Sequence, residues 1–583
     1  MTQVAPSSTF DSLFLPPIIE APPVPPVLKL VSITQAELTK LKWEGNYWKA
    51  QHRRSCKRED RLKKELEQKE ALIRELKHRL FGKKSETGGN PRQTVEQQPS
   101  QIAKRPRGQQ QDSRGHGRIQ RPDLPVVVEN HELAGKCCCQ CGLPYRPFPG
   151  DEEADIIEID IEAYRRRVCR KRYTKRCSCP PTANSPTIIV APPPPRLIPK
   201  SPYGVSIWVH ILLGKFLYSQ PLSRIISELN GYGLPLAPGT MIGGLRKIAA
   251  LFVPLQQALY DHQMSEVRFH NDESRWKVFA ATEGKVGYGW YLWVTRSPEV
   301  IYYQIAPTRS TTVPLDHFSG LIAAKVIVVC DRYSAYKKLA RLNPAIILAF
   351  CWAHVRRDFL EVANGFPTVK EWALNWVEEI GTLYHLNNQR LTHWQEALPL
   401  TQQNELFQVG QNRLEHRVEQ MKERCELLLQ ADRIATSSPR PTGKKGEILP
   451  GLRPGELHSE QRQALTSLQN HWYGLIVFVT HPEVPMDNNF AEQAIRNPVV
   501  GRKNYYGSGS IWSSELAAMM FSLLQTTLLW NINPHHWLQE YLTACANNGG
   551  TAPADLTPFL PWGMNEERRL QLAKSPPRSR NTS

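Results

Sequence analysis

Apolar and polar positions recur with different periods along the chain, and these periods mark its predicted segments. In residues 35–86, Leu62, Leu66, Ile73, Leu76 and Leu80 follow one another at steps of three, four and seven, with charged residues between them. This short heptad pattern predicts a helical or coiled-coil segment. Two interpretations stay open: a dimerising coiled coil, and a solvated amphipathic helix that packs on its own chain.

Residues 201–262 show apolar positions three and four apart, which predicts a helical region. The stretch GYGLPLAPGT at 231–240 interrupts the pattern, so the region could contain a helix-turn-helix. Gly243 and Gly244 weaken the second helix of such a pair. DNA recognition by this pair and plain helical packing both remain open.

Residues 266–330 change to strand character. In EVRFHND at 266–272, Val267 and Phe269 alternate with polar residues, which is typical of a strand. The runs GWYLWVT at 289–295 and VIYYQIA at 300–306 are rich in aromatic and β-branched residues. A short helix is predicted at 311–321, and the continuous apolar run at 326–330 is typical of a buried strand. The order of three strands, a helix and a fourth strand predicts an α/β core.

The pattern after this core is mostly helical. It predicts a helical insertion at about 361–484, followed by a helix through Glu492 that breaks at Pro498 and a further helix that ends near residue 530. With the strands, these helices define a predicted core over 263–530. Residues 531–583 are expected to form a C-terminal region and a disordered tail.

The 583 residues and the 47 prolines, which cluster, favour a multidomain α/β protein with linkers. We expect a disordered Pro-rich arm at 1–34, a basic linker at 87–122 and a Pro-rich linker at 181–200. Between them, residues 123–180 form a small unit that holds most of the cysteines.

The formal net charge of +18 favours a polyanionic partner, most simply nucleic acid, while contact with the ribosome and solubility alone are the alternatives. Residues 42–121 contain 22 Lys and Arg against 10 Asp and Glu, so much of this excess is local. The sequence shows neither a secretory signal nor an apolar run of membrane length, which excludes secreted and membrane classes and predicts no membrane partner. Together with cysteines at metal-ligand spacing, this predicts a reducing cytoplasm.

The cysteine unit predicts one structural zinc ion. Its ligands are predicted to be Cys138, Cys141, Cys177 and Cys179, because four thiolates complete a tetrahedral site. The spare thiols Cys137, Cys139 and Cys169 could substitute for members of this set. The arginines between the two pairs make the unit basic, so it is expected to contact DNA.

Three acids are candidate ligands of a catalytic metal. Asp272 is predicted at the end of the first strand, and Asp331 follows the buried strand. Two such carboxylates in contact repel each other and usually hold Mg²⁺ or Mn²⁺. Glu492 is the expected third acid, with Arg496 one turn later, and Arg502 and Lys503 form a predicted basic turn that grips phosphate. A surface Glu–Arg pair is the alternative.

Several motifs occur in an order that resembles the bacterial insertion-sequence-66 family of transposases. They are LFGKKSE at 80–86, YGVSIWVHILLGKFLYSQPLSRI at 203–225, HNDES at 270–274, VVCDRYSAY at 328–336, CWAHVRRDF at 351–359 and DNNFAEQAIRNPVVGRKNY at 487–505. The cysteine unit is also similar, and the resemblance extends over nearly all of residues 40–560. Ser274 and Gln493 depart from the family pattern without removing an acid.

The resemblance implies a DDE transposase with a ribonuclease H-like core. Its catalytic acids would be Asp272, Asp331 and Glu492, and two Mg²⁺ ions, or Mn²⁺, would support cleavage at the element ends and strand transfer into target DNA. It implies a zinc-binding domain as well. The residues expected to organise the site or contact DNA are Cys351, His354, Arg356, Arg357, Arg496, Arg502 and Lys503.

The implied partners are the terminal inverted repeats, target DNA, further copies of the chain in a homo-oligomer, and small accessory proteins of the same element. The implied location is the bacterial cytoplasm, in association with the nucleoid. Two other functions compete with this one: a non-catalytic DNA-binding protein, and a different metal nuclease on the same fold. The presence of all three acids argues against the first, and the long insertion and the family motifs argue against the second.

Overall fold

The computed structural model describes residues 34–81, 140, 162–174, 176, 188–281, 283, 287–437 and 453–573. Contacts divide the chain into two units, Met1–Lys83 and Lys84–Ser583. The predicted arm at 1–34, except Thr34, and the linker at 87–122 lie outside the described residues, as does most of the predicted zinc-binding domain.

The first unit contains one long helix, α1 (Gln35–Phe81). Glu37 accepts hydrogen bonds from the backbone and hydroxyl of Thr34, and the Thr34 hydroxyl accepts the Glu37 N–H, so a capping box begins the helix. The helical prediction is confirmed as far as Phe81. Leu62 and Leu66 of the heptad pattern are exposed, and their pairing in a coiled coil stays a prediction.

The second unit begins with a two-stranded antiparallel ribbon and a group of helices. The elements are β1 (Arg172–Thr174), β2 (Ile188–Val190), α2 (Val205–Phe216), α3 (Leu222–Gly231), α4 (Pro238–Ile248) and α5 (Val253–Gln263). The predicted helical region at 201–262 is confirmed. Gly244 does not disrupt α4, because a Cβ there would meet the Trp208 ring at 1.8 Å, so the glycine allows α2 and α4 to approach.

The second unit is built on a five-stranded mixed sheet in the order β5-β4-β3-β6-β7. Its strands are β3 (Arg268–Lys277), β4 (Gly289–Arg296), β5 (Ile301–Ala306), β6 (Val326–Cys330) and β7 (Ile346–Phe350). β3, β4 and β5 are antiparallel, whereas β6 runs parallel to β3 and β7 runs parallel to β6. The four predicted strands are confirmed, and β7 was not predicted.

Both faces of this sheet are covered. Along β4, Leu292 and Val294 pack into the core that contains α2–α5, while Trp293 points into the core beneath the later helices. Within β6, Val328 joins that second core, and Val329 faces a smaller apolar cluster. Burial on both faces explains why the parallel strands β6 and β7 are continuous apolar runs.

Two short helices connect strands of the sheet: α6 (Thr312–His317) lies between β5 and β6, and α7 (Ser334–Leu342) lies between β6 and β7. The helices after β7 begin with α8 (Trp352–Gly365) and form the described part of the predicted insertion. They continue with α9 (Lys370–Leu391), α10 (Glu405–Ser437), α11 (Ser459–Asn470), α12 (Trp472–Leu475) and α13 (Val477–Thr480). None of the described helices is long and apolar enough to span a membrane.

Arg390 connects α9 to α13, the last helix of the insertion before the third candidate acid. Its side chain is 1% exposed. Its guanidinium donates to the carbonyls of Val479 at 2.9 Å and Phe478 at 2.5 Å, and to Asn387 Oδ1 at 2.8 Å. Because these acceptors satisfy the buried guanidinium, Arg390 holds α9 firmly against α13.

The last helices are α14 (Asn489–Tyr505), α15 (Ile511–Leu529), α16 (Pro534–Asn547) and α17 (Glu566–Ala573). The predicted break at Pro498 is wrong, because α14 continues through it. Pro498 cannot donate to the carbonyl of Ala494, but the Tyr303 hydroxyl donates to that carbonyl instead, at 2.7 Å. The predicted disordered tail is wrong for α17, whose Leu572 is buried.

Candidate active site

The three neighbouring parallel strands β3, β6 and β7 bring side chains together where β6 and β7 end. The β3–β6 ladder pairs His270 with Val329, and the β6–β7 ladder pairs Val329 with Ala349. Two residues further along each strand, on the same face, are Asp272, Asp331 and Cys351. Neighbouring strands lie about 4.8 Å apart, so the register brings the two predicted acids together. The expectation that Asp272 ends its strand is wrong, since β3 continues to Lys277 beside β4.

The environment of Asp272 opposes its ionisation. Burial raises the pKa of this carboxyl to about 7, and the charge of Glu273 adds to the effect. Asp331 and Glu492 raise the pKa further, while the Glu273 N–H that Asp272 Oδ1 accepts at 2.8 Å lowers it. Several acids therefore converge on one buried carboxyl, which is the arrangement that a bound cation relieves.

Glu273 is a fourth acid that the sequence analysis did not single out. Arg309 pairs with it at 2.6 Å, and the Tyr336 hydroxyl donates to it at 2.6 Å. The Arg309 guanidinium also lies over the ring of Tyr333, 3.9 Å from its centroid. Because the Tyr333 N–H donates to Asp331 Oδ1 at 2.9 Å, this network connects Glu273 to the second candidate acid.

Asn488 joins the segment before α14 to the sheet edge. Its amide Nδ2 donates to the Asn271 carbonyl at 2.7 Å, and its backbone N–H donates to Cys351 Sγ at 3.2 Å. Its Oδ1 lies 3.1 Å from His270 Nδ1. Burial lowers the pKa of His270 to about 4, so the neutral ring donates its Nδ1 hydrogen to Asn488. Asn is a residue type common at the N-terminal cap of a helix, but the Asn488 side chain is directed to β3 and does not cap α14.

We expect Asn488→Ala to lower the free energy of unfolding by about 1–3 kcal/mol, because buried partners on His270 and Asn271 lose their hydrogen bonds. Denaturant titration measures this change. The matched control is Asn489→Ala, since Asn489 is exposed on the next position. Equal effects of the two substitutions would show that Asn488 does not hold α14 against the sheet.

Glu492 lies in the first turn of α14 and approaches the residues that follow β7. Its Oε1 is 3.9 Å from His354 Nδ1, and one ligand atom from each of Cys351, His354 and Glu492 lies within 4.8 Å of the others. Burial raises the pKa of the Cys351 thiol and lowers the pKa of His354. The structure thus brings Cys351 and His354 together with the third candidate acid.

The predicted basic residues have two different surroundings. Arg502 donates to Ser274 Oγ at 3.0 Å and to the Arg275 carbonyl, so it ties α14 to β3. The predicted basic turn is wrong, because Arg502 and Lys503 belong to α14. The remaining members of the predicted set are exposed, or half-buried in the case of Arg356, and their contacts with DNA stay predictions: Arg356, Arg357, Arg496 and Lys503.

The predicted zinc ligands Cys138, Cys141, Cys177 and Cys179 lie outside the described residues. The described part of that region includes the exposed arginines Arg165, Arg166 and Arg167. Arg170 donates to the Ala191 carbonyl at 2.6 Å, which links the arginine-rich stretch to the end of β2. The zinc site therefore stays a prediction.

Comparison with known proteins identifies a transposase. Residues 200–516, more than half of the chain, match the family described as "Transposase IS66 family", and the chain belongs to this family. It is similar to two uncharacterized proteins of Sinorhizobium fredii (strain NBRC 101917 / NGR234). Protein y4jD is 26% identical over 496 residues, which cover 82% of this chain and 87% of the relative. Protein y4hP is 23% identical over 448 residues, 73% of each chain.

Proposed function

We propose that the chain is a DDE transposase that cleaves DNA at the ends of its insertion element and joins those ends to target DNA. The observation that carries this proposal is the common register of Asp272 and Asp331, with Glu492 held near them by α14. The sheet order β5-β4-β3-β6-β7 agrees with a ribonuclease H-like core that contains a helical insertion. Family membership supports the same activity.

The proposed cofactor is a pair of Mg²⁺ ions, or Mn²⁺, held by Asp272, Asp331 and Glu492. Carboxylate oxygens are the ligands that these hard cations prefer, and the crowding of acids around Asp272 fits a cationic group. Ions held by these residues would supply the Lewis acidity that activates a water or a DNA 3′-hydroxyl and stabilises the leaving oxygen. Asp272 must give up its proton to become a ligand, while Asn488 keeps α14 in place.

Labelled duplexes that carry an element end, incubated with the full chain and a target plasmid, test this function. Magnesium-dependent nicks at the element boundary and joined products are expected. Nicking without joining would favour the alternative of a different metal nuclease. Binding without either product would favour a non-catalytic DNA-binding protein.

The pKa of Asp272 predicts a pH dependence of metal binding. Because this pKa lies near 7 in the folded protein and at 3.8 ordinarily, the folded state holds a proton between these values that the unfolded state has lost. The contribution of Asp272 to the stability of the metal-free protein thus falls as pH rises from about 4 to 7, then stays level. Magnesium binding has the opposite trend, and its affinity should weaken about tenfold per pH unit below 7.

Calorimetry in two buffers of different ionisation enthalpy measures the proton that Mg²⁺ releases. Asp272→Asn should remove this release near pH 7. A release that is unchanged in Asp272→Asn would assign the titrating group to another acid, such as Glu273, whose pKa burial also raises.

The region from residue 40 to 180 is proposed to hold the element ends, with its basic residues on phosphate and its zinc-binding domain adding base or shape recognition. The proposed partners include the terminal inverted repeats, target DNA, further copies of the chain and accessory proteins of the element. The proposed location is the bacterial cytoplasm, at the nucleoid.

For the segment 123–180 we expect one bound zinc ion per isolated polypeptide. Binding energy supplies folding energy in such a small unit, so a chelator should unfold it. Metal analysis and circular dichroism measure the two effects. The double substitution Cys138→Ser with Cys177→Ser should lose the metal, and zinc-free wild-type segment would refute the assignment.

A further inference from the structure

A second donor set lies beside the proposed magnesium site. Cys351 precedes the first residue of α8, His354 follows one turn later, and Glu492 reaches them from α14. One ligand atom from each side chain lies within 4.8 Å of the other two. Glu492 is far from Cys351 and His354 in the sequence, so the fold brings the three side chains together.

Two polar atoms of this cluster are buried and have no hydrogen-bond partner among the described residues. They are His354 Nδ1 and Glu492 Oε1, which face each other at 3.9 Å. A buried polar atom without a partner is unfavourable, so a facing pair of such atoms favours a third group between them. A bound cation would contact both atoms.

Cys351 completes the set with a buried sulfur atom. Its Sγ accepts the N–H of Asn488 at 3.2 Å, which holds the side chain beside the segment that leads into α14. Sulfur, imidazole nitrogen and a single carboxylate are ligands of zinc-class cations, whereas Mg²⁺ prefers oxygen alone. With three protein ligands, the fourth position of a tetrahedral ion stays open.

We infer that Cys351, His354 and Glu492 form a binding site for a thiophilic divalent cation of the zinc class, which shares Glu492 with the proposed magnesium site, and that its occupation inhibits DNA cleavage. The inhibitory part rests on the proposed function, because Glu492 would serve both sites. A zinc-class ion on the Cys351 side holds the carboxylate that Asp272 and Asp331 need.

Zinc binding by the full-length protein tests the site without DNA. Reduced protein is equilibrated with Zn²⁺, dialysed, and its metal content measured for wild type, Cys351→Ser and His354→Ala. We expect each variant to bind one equivalent of Zn²⁺ less than wild type. Zinc in the segment 123–180 does not affect this difference, because wild type and variants share that segment. The matched control Cys425→Ser removes a buried thiol elsewhere and should keep the full content. Equal zinc content in wild type and both variants overturns the site.

The absorption spectrum of the cobalt-loaded protein tests the site without counting bound metal ions. The full-length protein loaded with Co²⁺ should show a thiolate-to-cobalt absorption component that is absent in Cys351→Ser and retained in Cys425→Ser. If Cys351→Ser does not fold, His354→Ala decides, because the altered coordination should shift the visible bands. Unchanged spectra in a folded variant contradict the assignment.

To test the inhibitory role, the rate of DNA cleavage by each protein with zinc is compared with the rate of the same protein without zinc. Magnesium-dependent cleavage by wild type should fall at least tenfold when the site is filled, while His354→Ala should lose most of this sensitivity. Full cleavage by zinc-loaded wild type overturns the inhibition but leaves the site. Failure of the zinc-free wild type to cleave would instead refute the proposed function, so the two failures are distinguishable.

Discussion

Replacing Asp272, Asp331 or Glu492 by its amide should reduce DNA cleavage by a factor of about 10³ or more. Each substitution removes a charged ligand at the edge where the strands β3 and β6 and the helix α14 meet. A metal ion contributes several kcal/mol to the stabilisation of the transition state, and about 4 kcal/mol corresponds to a thousandfold in rate. A quenched cleavage assay on the element-end duplex measures the loss.

Binding of the same duplex should change little in these variants, since the proposed contacts with the element ends lie elsewhere. Asp316→Asn and Glu515→Gln are matched controls, because both acids are exposed in the same unit. A variant of the triad that keeps the wild-type rate would exclude that residue from the metal site. Loss of folding, detected by circular dichroism, would leave the other two substitutions to decide.

Removal of the N-terminal region should abolish the preference for element ends while some metal-dependent nicking remains. The truncated chain should begin at Pro193, because Leu197 and Ile198 are buried in the core of the second unit and must be kept. If the full chain makes six or more phosphate contacts, its affinity should fall about 10³-fold or more between about 50 and 200 mM salt. The truncated chain should have a much smaller dependence.

Competition between labelled element-end and random duplexes measures this preference. The full chain with Asp331→Asn is the reference, since it keeps the N-terminal region and lacks the proposed activity. If the truncated chain still discriminates the ends as well as this reference, recognition belongs to the core or to the C-terminal helices.

Aromatic and β-branched runs located β4, β5 and β6, and the alternation of Val267 and Phe269 with polar residues located β3. The sequence pattern missed β7 because the apolar residues of this strand continue into Cys351 and Trp352 at the start of α8, and a short apolar run does not distinguish a buried strand from a helix. Without β7, the position of Cys351 beside Asp331 could not be derived.

The parts of the site that sequence analysis missed depend on contacts between distant segments. Pro498 remains helical because Tyr303, on another strand, supplies the missing hydrogen bond. Asn is common at helix caps, yet the side-chain amide of Asn488 donates to the carbonyl of Asn271, 217 residues away. Local rules describe what a segment prefers in isolation, and the tertiary partner decides between the alternatives.

The contact between Arg390 and α13 bears on the order in which the parts of the active site are synthesised. A ribosome makes β3 and β6 early, but Glu492 emerges only after the helices that Arg390 fixes to the carbonyls of Phe478 and Val479. Under the proposed function, a nascent chain would already carry its basic N-terminal region while its acidic cluster was still incomplete. Interrupted translation would therefore release a product that can occupy DNA without cutting it.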